Sequence, residues 1–235
     1  MKQKNLNLNK NLENFIEEFP ETKDVFELFG INYENFAKGN IPEIAKEKNI
    51  KLDDLVFSLN EKIFQKSHSL ENKSLSEIIS YIEKTHHAFL WEKLPSTDML
   101  LDSIIKIHGK KHGEFLLGLK KIFGTIKNSL ENHLENEEYD LFAIVKEVEK
   151  HPRKKKKISK EDVISKITSL YEDHDKTKKL LAQMRSFTNE YEAPEYACEK
   201  FKQMYENLKA MEDDLHEHIY VENAILMPKI KNLLT

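Results

Sequence analysis

A single cysteine, Cys198, in a chain of 235 residues rules out an intramolecular disulfide framework. It also removes the thiolates on which a structural zinc site usually depends. Glycine and proline are scarce, six of each, so long runs of Lys, Glu, Asn and Leu pass without a breaker and point to a mainly helical protein. No apolar run is long enough to cross a membrane. The opening MKQKNLNLNK lacks the apolar stretch of a secretory signal, so a cytoplasmic protein with no membrane partner is expected. There is no large excess of positive charge either. The formal net charge is −4, and nothing global points to nucleic acid. What the chain does have is 33% charged and 39% hydrophobic residues, the latter at helical spacing and enough for a core.

Taken in order, residues 1–11 read as a disordered tail and residues 12–66 as a small helical domain. Leu12, Phe15, Ile16 and Phe19 form a short amphipathic helix ended by Pro20. Thr22 is placed to cap a helix through Val25, Phe26 and Leu28 that stops at Gly30. Pro42 stands where another helix begins, and Leu52, Leu55, Leu59 and Ile63 mark a further one. Residues 65–73 are polar and read as a linker. Ser74 and Glu77 then have the spacing of a capping box. From there to residue 235 the pattern gives four long helices, with breaks expected near Gly113, at the basic run 153–157, and before Pro194, which is read as opening the fourth. The basic run is read as a solvated connection, since no aromatic residues interleave with it. The expected fold is all-α: an antiparallel four-helix bundle over residues 74–235, preceded by the small helical domain.

Polar residues interrupt the apolar stripes of all four long helices. On the first, Leu75, Ile79 and Ile82 are followed by His86 and Leu90; His87 stands about 100° away from His86. On the second, Ile122, Ile126 and Leu130 lead to His133 and Glu137. On the third, His174 falls between Leu170 and Thr177. On the fourth, Phe201, Met204, Leu208, Met211 and Leu215 lead to His218 and Glu222. His133–Glu137 and His218–Glu222 share one spacing, four residues, which stacks both side chains on one helix face. A buried carboxylate is costly unless it is paired or bound to a metal. Four imidazoles and two carboxylates are too many for one ion but suit two ions bridged by Glu137 and Glu222. Two octahedral ions offer about twelve positions. Eight are filled by these side chains, and the rest can hold an oxo or hydroxo bridge and a small exogenous ligand. The donor types suit iron or manganese. His87, His112, His151 and His216 are read as surface or loop residues, and Cys198 as a small apolar residue. His108, 22 residues beyond His86, belongs elsewhere.

The stretches EKTHHAFLWEKLP, IHGKKH, LENHLENEE, YEDHDKTKKLL and LHEHIYVENAILMP resemble those of the hemerythrin-like di-iron proteins. The closer likeness is to bacterial iron–sulfur cluster repair proteins of the ScdA type. The N-terminal FPETKDVFELFGINY and NIPEIAKEKNIKLDDLVFSLNEKI are similar to the small N-terminal domain of that family, so the resemblance covers nearly the whole chain. It implies two iron ions held by His86, His133, Glu137, His174, His218 and Glu222, and a first long helix kinked at Leu94-Pro95. The sequence departs from the family where a Cys-Cys pair followed by Gly-Gly is usual. Glu34, Asn35, Phe36 and Ala37 stand there, so the domain is read as a docking or scaffold module rather than a thiol site.

The implied function is repair of iron–sulfur clusters damaged by nitrosative or oxidative stress, through iron donation or handling of nitric oxide. The alternatives are a nitric oxide reductase forming nitrous oxide, which would make the protein an enzyme, and a hemerythrin-type oxygen-binding or redox-sensing protein. The implied partners are nitric oxide or dioxygen, damaged iron–sulfur proteins and an electron donor, with the chain a monomer or homodimer.

Overall fold

The computed structural model describes residues 6–153 and 158–233, leaving aside the side chains at positions 34, 61, 64–69 and 71. Residues 1–5 of the expected tail and 154–157 of the basic run lie outside the described residues. Among the described residues all regular structure is helical, apart from an isolated bridge between Asn11 and Asn40. Contacts divide the chain into two units, Met1–Lys73 with His216–Ile225, and Ser74–Leu215 with Leu226–Thr235.

In the first unit, α1 (Leu12–Glu18) is capped by the Asn11 side chain, which accepts from the Asn14 N–H. Residues 6–11 are tied down rather than trailing: the Ile41 N–H donates to the Leu8 carbonyl at 3.3 Å. Thr22 precedes α2 (Lys23–Leu28) without capping it, because its hydroxyl donates to the Phe19 carbonyl at 2.6 Å. Gly30, at φ +70°, turns the chain after α2, a conformation that costs glycine no steric penalty. A short α3 (Tyr33–Phe36) follows, then α4 (Ile41–Glu47), with Asn40 as N-cap and Pro42 in the first turn. The next helix, α5 (Leu52–Glu71), runs through most of the stretch expected to be a linker. Gln65, Lys66 and Glu71 are good helix formers, and no breaker intervenes before Asn72. Phe15, Phe26, Leu55 and Leu59 form the buried centre. Tyr220, from the His216–Ile225 segment, sets its ring 6.4 Å from that of Phe19.

In the second unit, Ser74 and Glu77 form the expected capping box at the start of α6 (Leu75–Ile82). A π-helical turn, Glu83–His87, leads into α7 (Ala88–Asn136). A second π turn, Glu137–Leu141, leads into α8 (Phe142–Lys150). Pro95 sits inside α7 and does not end it. Helical geometry lapses instead at His112 (φ −128°, ψ 24°), and there the chain reverses. Asp98 reaches Lys120 at 2.8 Å, and Glu83 reaches Lys146 at 2.6 Å. The N–H groups of Leu75 and Ser76 both donate to Glu149 at 2.8 Å. These cross-links make residues 75–111 and 113–150 antiparallel arms.

The third arm is α9 (Lys160–Phe187), capped by Ser159. The fourth is α10 (Glu199–Tyr220), a π turn at Val221–Leu226, and α11 (Met227–Leu233). Pro194 does not open it; Asn189, Glu190 and Tyr191 adopt φ of 51°, 58° and 61°, and the helix begins only at Glu199. Arg185 bonds Glu212 at 2.9 Å, and the Lys231 ammonium lies 4.8 Å above the Tyr171 ring, so these arms are antiparallel too. Leu90, Leu94, Leu119, Phe123, Leu181, Phe201 and Leu208 are among the residues of the shared core.

Candidate metal centre

Three π-helical turns lie where the apolar stripes give way to histidine and glutamate. A π turn inserts one residue into the helical repeat and shifts every later residue by one position around the axis. At Glu83–His87 the effect decides between neighbours. An unbroken helix carries the stripe from Ile82 to His86, four residues on, whereas the wider turn carries it to His87. Both rings are 1% exposed but face different partners. His86 Nδ1 lies 2.9 Å from Asp214 Oδ1, with its ring edge-on to Tyr81. His87 Nε2 lies 3.4 Å from Glu137 Oε2.

Glu137 is fully buried and also approaches His133, one turn earlier, with His133 Nε2 3.5 Å from its Oε2. His133 Nε2 in turn stands 3.2 Å from His174 Nε2. On the fourth arm His218 Nε2 is 3.0 Å from Glu222 Oε1, and Glu222 is likewise fully buried. Each of two groups offers four ligand atoms within 4.8 Å of one another. One comprises His87, Glu137, His218 and Glu222, the other His133, Glu137, His174 and Glu222. Glu137 and Glu222 are common to both.

The sequence-predicted His133, Glu137, His174, His218 and Glu222 are thus brought together, and His86 is not. His87 takes the place expected of His86. A signal for this was present, because counting back three from Leu90 or seven from Leu94 reaches His87. Also unanticipated was Glu138, whose Oε1 lies 2.8 Å from His87 Nδ1. His216, read as a surface residue, is 5% exposed. His108 lies apart from the groups, its Nε2 3.4 Å from Cys198 Sγ, and His112 stacks on Tyr196 at 3.7 Å.

The donor set fits hard-to-borderline metal ions. Two nitrogens bound side by side to one ion, each about 2.1 Å from it, stand about 3 Å apart, close to the His133–His174 separation of 3.2 Å. Burying two carboxylates is costly, a cost that a cation at either group would offset, and each carboxylate is common to both groups. A structural ion pair occupies the same bundle away from these residues. Arg185 donates to Glu212 through Nε at 3.1 Å and through Nη2 at 2.9 Å. Burial, then the nearby Glu212 carboxylate, push the Tyr191 phenol well above its ordinary range, with Arg185 acting in the opposite direction.

Comparison with known proteins gives a cation-binding domain over the region that holds these residues. A family model described as the hemerythrin HHE cation binding domain matches residues 78–230. The iron-sulfur cluster repair protein ScdA of Staphylococcus haemolyticus (strain JCSC1435) is 27% identical over 217 residues, covering 91% of this chain and 94% of that protein. The iron-sulfur cluster repair protein YtfE of Escherichia coli O81 (strain ED1a) is 26% identical over 213 residues, covering 89% of this chain and 91% of that one.

Proposed function

The chain belongs to the hemerythrin HHE cation binding domain family, and from that premise we propose that it is a di-iron protein acting in iron–sulfur cluster repair. The observation that carries the reading is the sharing of Glu137 and Glu222 between two groups of buried ligand atoms. Two shared carboxylates support two neighbouring ions rather than one. His87 and His218 would hold one iron and His133 and His174 the other, with both glutamates between them. When bound, a ferrous pair supplies positions for small diatomic ligands and electrons to reduce them, and in iron donation it is itself the cargo. The names of the relatives support damaged iron–sulfur proteins as the recipients.

Nitric oxide handling rather than oxygen carriage is the finer part of this reading. Carriage of one oxygen molecule needs a single open position, whereas coupling two nitric oxide molecules needs open positions on adjacent ions. Two ions sharing Glu137 and Glu222 would leave such positions on both, which supports the second arrangement. The carboxylates also partly neutralise the ferrous charge, which favours oxidation over reversible binding. Such a protein would act inside the cell and draw its electrons from a separate donor.

The test is anaerobic metal analysis of the full chain, followed by stopped-flow mixing of the diferrous protein with each gas. Two iron ions per chain are expected, with nitric oxide reacting faster than any stable, reversible oxygen adduct forms. Recovery of intact diferrous protein once oxygen is withdrawn, with neither nitrous oxide nor iron release after nitric oxide, would replace this reading with that of a carrier or sensor.

A further inference from the structure

Glu138 belongs to neither group of ligand atoms, yet it holds the opposite side of one of the rings in them. Its Oε1 lies 2.8 Å from His87 Nδ1, while His87 Nε2 faces Glu137 Oε2 at 3.4 Å. Adjacent glutamates therefore address the two nitrogens of a single imidazole. Their π turn, Glu137–Leu141, lies across from the π turn that ends in His87, and the two residues are 51 positions apart in the chain. The ring is confined on other sides as well. It stacks on Phe142, with centroids 5.8 Å apart and planes inclined by 14°, and the Trp91 indole N–H also reaches Glu138 Oε1, at 3.4 Å.

A carboxylate on Nδ1 keeps the proton there and leaves the Nε2 lone pair for a cation. It also makes that lone pair a stronger donor. We propose that Glu138 is a positioning residue for His87, selecting its tautomer and orientation, and that it sets the affinity of one of the two metal positions without altering the other. The inference rests on the reading of His87 as a ligand. It goes further in making the two positions unequal through a residue that touches neither.

The experiment compares the full chain with Glu138→Ala, Glu138→Gln and His87→Ala. Each is loaded with ferrous iron under anaerobic conditions and titrated with a competing chelator, and the metal-free forms are checked by thermal unfolding. In Glu138→Ala one equivalent should weaken about 10- to 100-fold while the other is unchanged. Glu138→Gln, which keeps an acceptor oxygen but loses the charge, should fall between Glu138→Ala and the unaltered chain. His87→Ala should lose the same equivalent. Wild-type affinity for both equivalents in Glu138→Ala, alongside loss of one in His87→Ala, overturns the positioning role and leaves the ligand reading intact. Equal weakening of both equivalents together with a less stable metal-free protein also overturns it, as the mark of a structural role. Retention of both ions by His87→Ala overturns the ligand reading itself.

Discussion

His86 and His87 are adjacent and equally buried, and the difference between them is one of partner. His86 is paired with Asp214 at 2.9 Å, an interaction that a small apolar residue can lose at a cost to stability and not to metal content. His86→Ala should therefore keep two ions per chain in elemental analysis; loss of an ion would show that the stripe of an unbroken helix was the better guide. The glutamates make a sharper case, because each is shared. Glu137→Ala or Glu222→Ala should lower occupancy of both positions together, where a change in His174 should empty chiefly one. Elemental analysis that finds a single full-strength ion in either glutamate variant would contradict the sharing.

At the scale of the element, the π turns do what regular helix cannot. The first turn, Glu83–His87, brings His87 rather than His86 to the ligand groups, while the flanking stripes stay in the core. The second turn, Glu137–Leu141, also explains why Phe142 and Val145 are buried where an unbroken repeat expects Ile144. The start of α6 depends on another arm in a different way. Its first N–H groups are taken by Glu149, 74 positions away from Leu75, as well as by its own capping box. Burial acts to raise the Glu149 pKa, but hydrogen bonds from Ser76 and from the Leu75 backbone outweigh it and hold the carboxyl below its ordinary value. A lowered folded-state pKa means stability that is present above the unfolded pKa and lost as pH falls through the folded one. Glu149→Gln should thus be less stable than the wild type near neutral pH. The gap from wild type should close below about pH 4, as measured by denaturant unfolding of the metal-free protein across pH. A gap that does not vary with pH would assign the cost to packing instead.

For the whole molecule, the question is what residues 1–73 contribute. All the proposed ligands lie beyond them, so residues 74–235 alone should still bind two ions. Yet the segment carrying His218 and Glu222 groups by its contacts with Met1–Lys73, and Tyr220 between those two residues packs its ring near Phe19. The shortened chain should therefore release iron to a chelator faster than the full chain, and Tyr220→Ala in the full chain should reproduce part of the change. Identical release rates would reduce the N-terminal unit to a role unrelated to the metal centre.

By itself the sequence determined the helices and most of the candidate centre. Sparse Gly and Pro allowed four long arms, and residues placed where a core stripe expects Leu marked His133, Glu137, His174, His218 and Glu222, because burial and helical repeat are both written locally. The N-cap at Ser74 was legible for the same reason: a cap acts within one turn. Only the tertiary structure decided what depends on distant partners or on a change of repeat. The choice of His87 over His86 needed the π turn, which leaves almost no trace in residue type. Glu138 at His87 and Glu149 at the start of α6 act across 51 and 74 positions, a separation at which no local pattern records the contact. The burial of His216 obeys the same rule, since the helix presents that face and the fold alone determines what covers it.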